Sequence, residues 1–300
     1  MNWKNVLFIG AVTLLPASMM AQANILNAKK PQEIGQKTEA QKALDNDAPL
    51  EYGYVDDRDI LWSKTTWEVI DLDERVNFPL YYPIDTIDIG ADRRSLYDVF
   101  IKNIKNGKLQ DVYVDSYFTE KRKFSDLAAT LQKVDTTDLG YEQINAGEEI
   151  SAEFINQRDL TAADIEEYRI KGMWYFDKRQ GELKYRLLGI APVAPDVNFI
   201  DDESMDPSDA KVELFWVWYP GARQILHEAK VFNQRNSAQP ISYDALLNAR
   251  RFNGVIYRED NVHGDRKVND YIADNALFQL LEAKRIKEVI RDREQDMWSY

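Results

Sequence analysis

Residues 172–190, GMWYFDKRQGELKYRLLGI, carry the pattern that decides the fold. An aromatic run at 172–177 reaches the turn Arg179-Gln180-Gly181. The chain then returns through 182–190, where Leu183, Tyr185 and Leu187 alternate with Lys184 and Arg186. A period of two on either side of a glycine-bearing turn predicts an antiparallel hairpin with one buried face. Downstream, 211–219 (KVELFWVWY) is apolar at consecutive positions, which predicts a central strand covered on both faces. The acidic segment 201–209 separates the two.

Helical signals flank this β-rich region. Ser95 suits an N-cap, and Leu96, Val99, Phe100 and Ile104 recur at helical spacing to about Lys105, with Asn106-Gly107 as a stop. Residues 109–118 set Val112 and Val114 against Asp111, Tyr113 and Asp115, the alternation of a half-buried strand. A helix is expected over 125–134, with Phe124, Leu127, Leu131 and Val134 on one face. Thr161 to Asp164 resembles a capping box, with Ile165 and Tyr168 as the apolar stripe behind it. The chain closes with a helix near 242–252, a strand at 255–258 and a long charged helix over 267–294. The buried side of that helix reads Ile272, Ala276, Leu280, Leu281, Ile286, Val289 and Ile290.

Interleaved helices and strands of this kind give an α+β fold. The chain divides into a signal segment (1–23), an N-terminal arm (24–50), an N-terminal α/β part (51–150) and a C-terminal α+β part (151–300). Two related halves are an open reading. Tyr82-Pro83, then Ser95-Leu96-Tyr97-Asp98, then Asn106-Gly107 and a strand is echoed by Tyr219-Pro220, Ser242-Tyr243-Asp244, Asn253-Gly254 and a strand. Residues 51–90, by contrast, cluster aromatics, charge and prolines, and read as extended structure with irregular edges.

The 300-residue chain opens with Lys4, an apolar run over 6–15 and Ala-Gln-Ala at 21–23. That is the pattern of a secretory signal peptide, with cleavage after Ala21 or Ala23 equally readable. The run is too short for a confident membrane span. The polar segment 24–50 reads as a flexible arm. Losing Lys4 with the signal takes the net charge from −13 to −14. Such a chain repels phosphate backbones and anionic lipid, which disfavours nucleic acid and direct membrane adsorption as partners. There is no cysteine. This excludes disulfides, thiolate metal sites, a cysteine nucleophile and the lipidated cysteine of a bacterial lipoprotein.

No pattern for chemistry emerges. His227 and His263 are the only histidines, and neither has a partner at metal-ligand spacing. The chain lacks G-x-S-x-G, G-x-x-x-x-G-K-[ST] and G-x-G-x-x-G. The 201–209 segment has the oxygen ligands of a calcium site but not the EF-hand pattern, and a solvated loop is the simpler reading. Asp85 with Asp88, or Asp56, Asp57 and Asp59, form carboxylate pairs of the kind glycosidases use. Among 51 acidic residues such pairs arise by chance. No catalytic residue, cofactor or metal is assigned, and the chain reads as a non-enzyme. Trp62, Trp67, Tyr81 and Tyr82 are the candidate protein-interface residues, with core packing as the competing reading.

The block 56–83, DDRDILWSKTTWEVIDLDERVNFPLYYP, resembles the GldN family of gliding-motility proteins, called PorN in non-gliding relatives. The helix SLYDVFIKNIKNGKL at 95–109 and ELFWVWYPGAR at 213–223 carry the same resemblance. It implies a periplasmic component of the type IX secretion system of Bacteroidetes. It further implies a ring of repeated copies assembled with an outer-membrane lipoprotein, GldK or PorK, and linked to the motor protein GldM or PorM. No catalytic residues belong to the family. A periplasmic glycan- or peptidoglycan-binding module, with Trp and Tyr as stacking platforms, is the alternative.

Overall fold

The computed structural model describes residues 47–298 apart from 86, 88–92, 148–150, 198–210, 234–235 and 237–239, together with residues 30, 39 and 44. The chain divides into two units at residue 48, and every described strand lies in the second, 49–300. Asp56 caps a short 3₁₀ turn, its carboxylate accepting from the Arg58 N–H, and delivers the chain into β1 (Ile60–Asp71). The stretch expected to be extended with irregular edges thus carries one 12-residue strand. It is followed by a 3₁₀ turn and the single helical turn α1 (Phe78–Tyr81), whose first turn accommodates Pro79. Buried Asn77 holds this corner. Its amide donates to the Asp71 and Asn253 carbonyls and accepts from the Asn253 N–H.

Next come α2 (Leu96–Lys105), β2 (Val112–Tyr113), α3 (Phe124–Leu131), β3 (Gln132–Thr136), α4 (Asp138–Ala146) and β4 (Ile155–Asp159). The central hairpin is β5 (Glu167–Asp177) and β6 (Glu182–Pro195). It leads to β7 (Lys211–Glu213), β8 (Trp216–Trp218), α5 (Tyr219–Glu228), β9 (Lys230–Val231), β10 (Ile241–Ser242) and α6 (Tyr243–Asn248). The chain ends with β11 (Val255–Glu259), α7 (Val268–Tyr271) and α8 (Ala276–Trp298). Helices and antiparallel sheets together make the fold α+β.

The main sheet has seven strands in the order β11-β1-β5-β6-β8-β2, with β7 also on β6, and all its pairings are antiparallel. It takes β1 and β2 from residues 51–150 and the rest from 151–300. Exchanging β1 with β8, β2 with β11 and β5 with β6 leaves this order unchanged. The sequence echo runs along the same exchange, since Ser95 and Ser242 each cap a helix by accepting from a backbone N–H three residues on. One face of the sheet carries Ile70, Tyr168, Ile170, Leu187 and Ile190, and it is covered by Leu96 and Phe100 of α2, Tyr219 and Leu226 of α5, and Tyr243 and Leu247 of α6. At the β11 end of the sheet a separate small core joins Ile256 to Val268, Ala283, Ile286 and Ile290. A third cluster, Trp67, Ala191 and Trp216, joins residues whose strand neighbours lie in the main core, so alternation places it on the opposite face.

Several elements differ from expectation, each for a local reason. The 109–118 strand shortens to Val112–Tyr113 because the chain folds back, Arg122 N–H bonding to the Val112 carbonyl and Val114 N–H to that of Glu120. Val114 is consequently exposed. The 125–134 helix stops at Leu131, with Leu127 and Leu131 buried and Val134 exposed on β3; the Phe124 side chain lies outside those described. The capping box at Thr161–Asp164 forms, but it closes one 3₁₀ turn, after which Ile165 leads into β5 and Tyr168 is a strand residue. The 211–219 run breaks into β7 and β8. Trp216 and Val217 are both fully buried, so β8 is covered on both faces, yet it sits next to the sheet edge. Tyr219 and Pro220 start α5, and the 242–252 helix ends at Asn248. The terminal helix is interrupted between α7 and α8. Its buried stripe is Ala283, Ile286 and Ile290, while Ala276, Leu280, Leu281 and Val289 are exposed.

Gly172 marks the tightest approach within the hairpin. An added Cβ would overlap the ring of Tyr185, which lies across the Gly172 backbone. Gly172→Ala is expected to cost about 1–3 kcal/mol by overpacking, read from urea unfolding. The double variant Gly172→Ala/Tyr185→Leu is expected to recover part of that loss. A single variant as stable as the parent would show that the ring moves freely.

Candidate interaction surface

The structure places the interface candidates at three different sites. Trp67 is 1% exposed and lies in the cluster with Ala191 and Trp216. Trp62 is half-buried against the small core of Ile256, Ile286 and Ile290. Tyr81 and Tyr82 alone come together, with ring centroids 4.8 Å apart and edge-on. Tyr81 donates to the Ala163 carbonyl, and Tyr82 is 50% exposed with Phe78 edge-on at 5.4 Å. Core packing therefore accounts for Trp67 and most of Trp62, and Tyr82 is the exposed member.

Around Trp67 the sheet carries a cation–aromatic cluster that sequence periodicity gave no sign of. The Lys171 ammonium lies 4.9 Å from the Trp67 ring, 4.8 Å from Tyr117 and 5.5 Å from Phe118. It donates to the Ser116 carbonyl at 2.9 Å. Burial, aided by the Arg258 charge, lowers its pKa. Arg258 stacks on Trp67 and Tyr117 from its own side, and Tyr117 also donates to Asp265. Phe118 adopts φ +60 and seats its ring where a Gly189 side chain would stand. Cation–π contacts of this kind contribute about 0.5–2 kcal/mol each. Together they latch residues 113–121 onto the sheet.

Two buried polar networks hold further elements. Asp244 accepts from Arg223 at 2.9 and 3.1 Å, from Tyr219 at 2.8 Å and from Asn248 at 2.9 Å. A carboxylate so saturated fixes the positions of its donors. Arg223 also donates to the Leu50 carbonyl. Tyr52 lies between Arg223 and Arg186, 4.0 and 4.6 Å from their guanidinium carbons, and donates to Asn248. The network thus clamps the segment that enters the domain. In the second network Glu68, 1% exposed, pairs with Arg250 at 2.7 Å. Arg250 stacks on Tyr185 and Trp174, between the main core and the small core beneath α8.

The remaining chemical candidates are dispersed. Asp56 caps its turn and pairs with Arg58, and Asp59 faces Arg179 at 3.8 Å. Asp57 lies in the same turn. Asp85 accepts from the Ile87 N–H, and Asp88 and the 201–209 segment lie outside the described residues. His227 lies on α5, and His263 lies in the loop after β11. Among the described residues no three His, Cys, Asp or Glu side chains come together as a metal site would need. No described helix is long and apolar enough to cross a membrane.

The burial difference separates the aromatic candidates by experiment. Trp67→Ala is expected to lose about 3–5 kcal/mol of stability. Tyr82→Ala, which loses two edge-on ring contacts, should cost less, about 1–2 kcal/mol, and leave any partner effect readable. Chemical denaturation checks both, and a silent Trp67→Ala would remove that ring from the core.

The family model for "Gliding motility associated protein GldN" matches residues 55–299. No curated protein matches the chain. The matched span starts just before β1 and takes in every strand and helix described above, including the Trp67 cluster, the Glu68–Arg250 pair and the Asp244 network apart from Leu50 and Tyr52. The chain belongs to the GldN family, and is by that membership a component of the gliding-motility and type IX secretion machinery.

Proposed function

We propose that the chain is a structural, non-enzymatic part of that machinery, working in the periplasm. Repeated copies assemble side by side with an outer-membrane lipoprotein of the GldK or PorK kind into a ring. The ring meets the periplasmic part of a motor protein of the GldM or PorM kind. The observation that carries this reading is the family match over nearly the whole compact unit. The signal-peptide pattern supports export, and the lack of any cysteine supports anchoring through a lipidated partner. Closing a ring requires a heterologous, head-to-tail contact between neighbours.

The test is co-purification of residues 24–300 with the candidate lipoprotein, followed by mass measurement and electron microscopy. A large, stable complex of ring-like particles is the expected outcome. A chain that ignores the lipoprotein, and is instead retained by isolated peptidoglycan on its own, would replace the scaffold reading with the glycan-binding one.

A further inference from the structure

The first two turns of α8 are apolar on more than one side. Ala283 and Ile286 face the sheet, while Leu277, Phe278, Leu280 and Leu281 are 66%, 56%, 52% and 50% exposed. A helix that is hydrophobic all round belongs in a buried setting. Beside these side chains runs a groove of about 390 Å³ between β11 and the two terminal helices, its apolar walls formed by Val255, Tyr257, Val268, Ala276 and Leu280. β11 is an edge strand of the sheet.

We propose that this corner docks a second copy of the chain, Phe278 and Leu281 of each copy seating against the other's α8 and groove. This two-fold contact is additional to the head-to-tail contact that closes a ring, and it rests on the self-assembly described above for its setting. Three observations favour a second copy as the occupant. Projecting Phe278 and Leu281 and a receiving groove lie side by side on one surface, so two copies related by a two-fold axis can each insert and receive. The area is appropriate. One phenylalanine and three leucines, each at least half exposed, supply an apolar centre for a standard interface, in which one partner buries ~800 Å². The third observation is charge. The chain carries −13 overall, so contact between copies is repulsive over most of the surface. Here Arg266, Lys267, Lys284, Arg285 and Lys287 balance Asp270, Asp274, Glu282 and Glu288, which removes that repulsion locally.

The experiment is sedimentation velocity of residues 24–300 alone over a range of micromolar concentrations. It compares the parent chain with Phe278→Glu and with Leu281→Cys. A concentration-dependent dimer is expected, with Phe278→Glu raising its Kd at least tenfold. Because the chain has no other cysteine, oxidation of Leu281→Cys should give one covalent dimer. Both positions are exposed, so unchanged circular dichroism and Tm would confirm that the variants fold. A parent chain that stays monomeric throughout, or a dimer indifferent to Phe278→Glu, overturns the proposal. So does a monomer whose lipoprotein binding is lost in Phe278→Glu, since the patch then belongs to that partner. Lipoprotein co-assembly assayed in parallel keeps the two readings apart. A chain that assembles with the lipoprotein but never dimerises through α8 sinks only this one.

Discussion

The β5–β6 hairpin is the constraint on which the rest of the fold depends. Its strands pair from Glu167–Val193 to Asp177–Glu182, and β1 pairs with β5 from Ile60 to Asp71. The remaining strands of the sheet are short; β11, β7 and β8 attach to this three-stranded base, and β2 attaches through β8. β11 adds to β1 over Thr66–Val69, β7 to β6 over Val193–Pro195, and β8 to β6 over Gly189–Ile190. Two- and three-residue strands have no independent stability, so their positions follow from the hairpin's register. Gly172 and Gly189 sit where that register meets large rings, Tyr185 lying across the first and Phe118 on the second.

From this base the two faces are covered by different means. The helical face uses aliphatic burial, with Phe100, Leu246, Leu247 and Leu226 over Ile70, Ile170 and Ile190. The other face uses rings and cations, with Lys171 and Arg258 bridging Trp67 to the 113–121 loop. Burial of apolar area is the larger energy, about 25 cal/mol per Å². The cation–π contacts are individually smaller, but they fix where a loop lies, which area alone does not do. Between the main core and the small core under α8 stands the Glu68–Arg250 pair. Arg250 stacks there on Tyr185 and Trp174, so a charged and aromatic layer stands between the α8 module and the main core.

This division of labour explains what was legible in the sequence. The hairpin was legible because period-two alternation and a glycine turn act locally, and the Ser95 and Ser242 caps because capping is decided within a few residues. The length of β1 was hidden because its charges and tryptophans reflect tertiary neighbours. Trp62 packs toward α8, Lys64 pairs with Glu259, and Glu68 is neutralised by Arg250 from far along the chain. The cation–aromatic latch was equally invisible, since Lys171, Tyr117 and Arg258 are brought together only by sheet order. The two polar networks share this property. Arg223, Asp244 and Tyr52 look like ordinary surface residues until Tyr52 is clamped.

The terminal helix shows the sharpest form of the same limit. Periodicity identifies apolar stripes, but a stripe states only that some surface will cover it, and α8 has more than one. The sheet takes Ala283, Ile286 and Ile290, because the break between α7 and α8 sets the phase with which the helix meets β11. The stripe through Leu277, Phe278 and Leu281 is left facing solvent. An isolated domain gains nothing from holding these three and Leu280 half-exposed there, since each forgoes roughly half of the ~1.5–3 kcal/mol that full burial gives and adds an aggregation liability. The excess is intelligible if the folding unit is smaller than the functional one, so that the sequence of α8 encodes one face for its own sheet and another for an assembly.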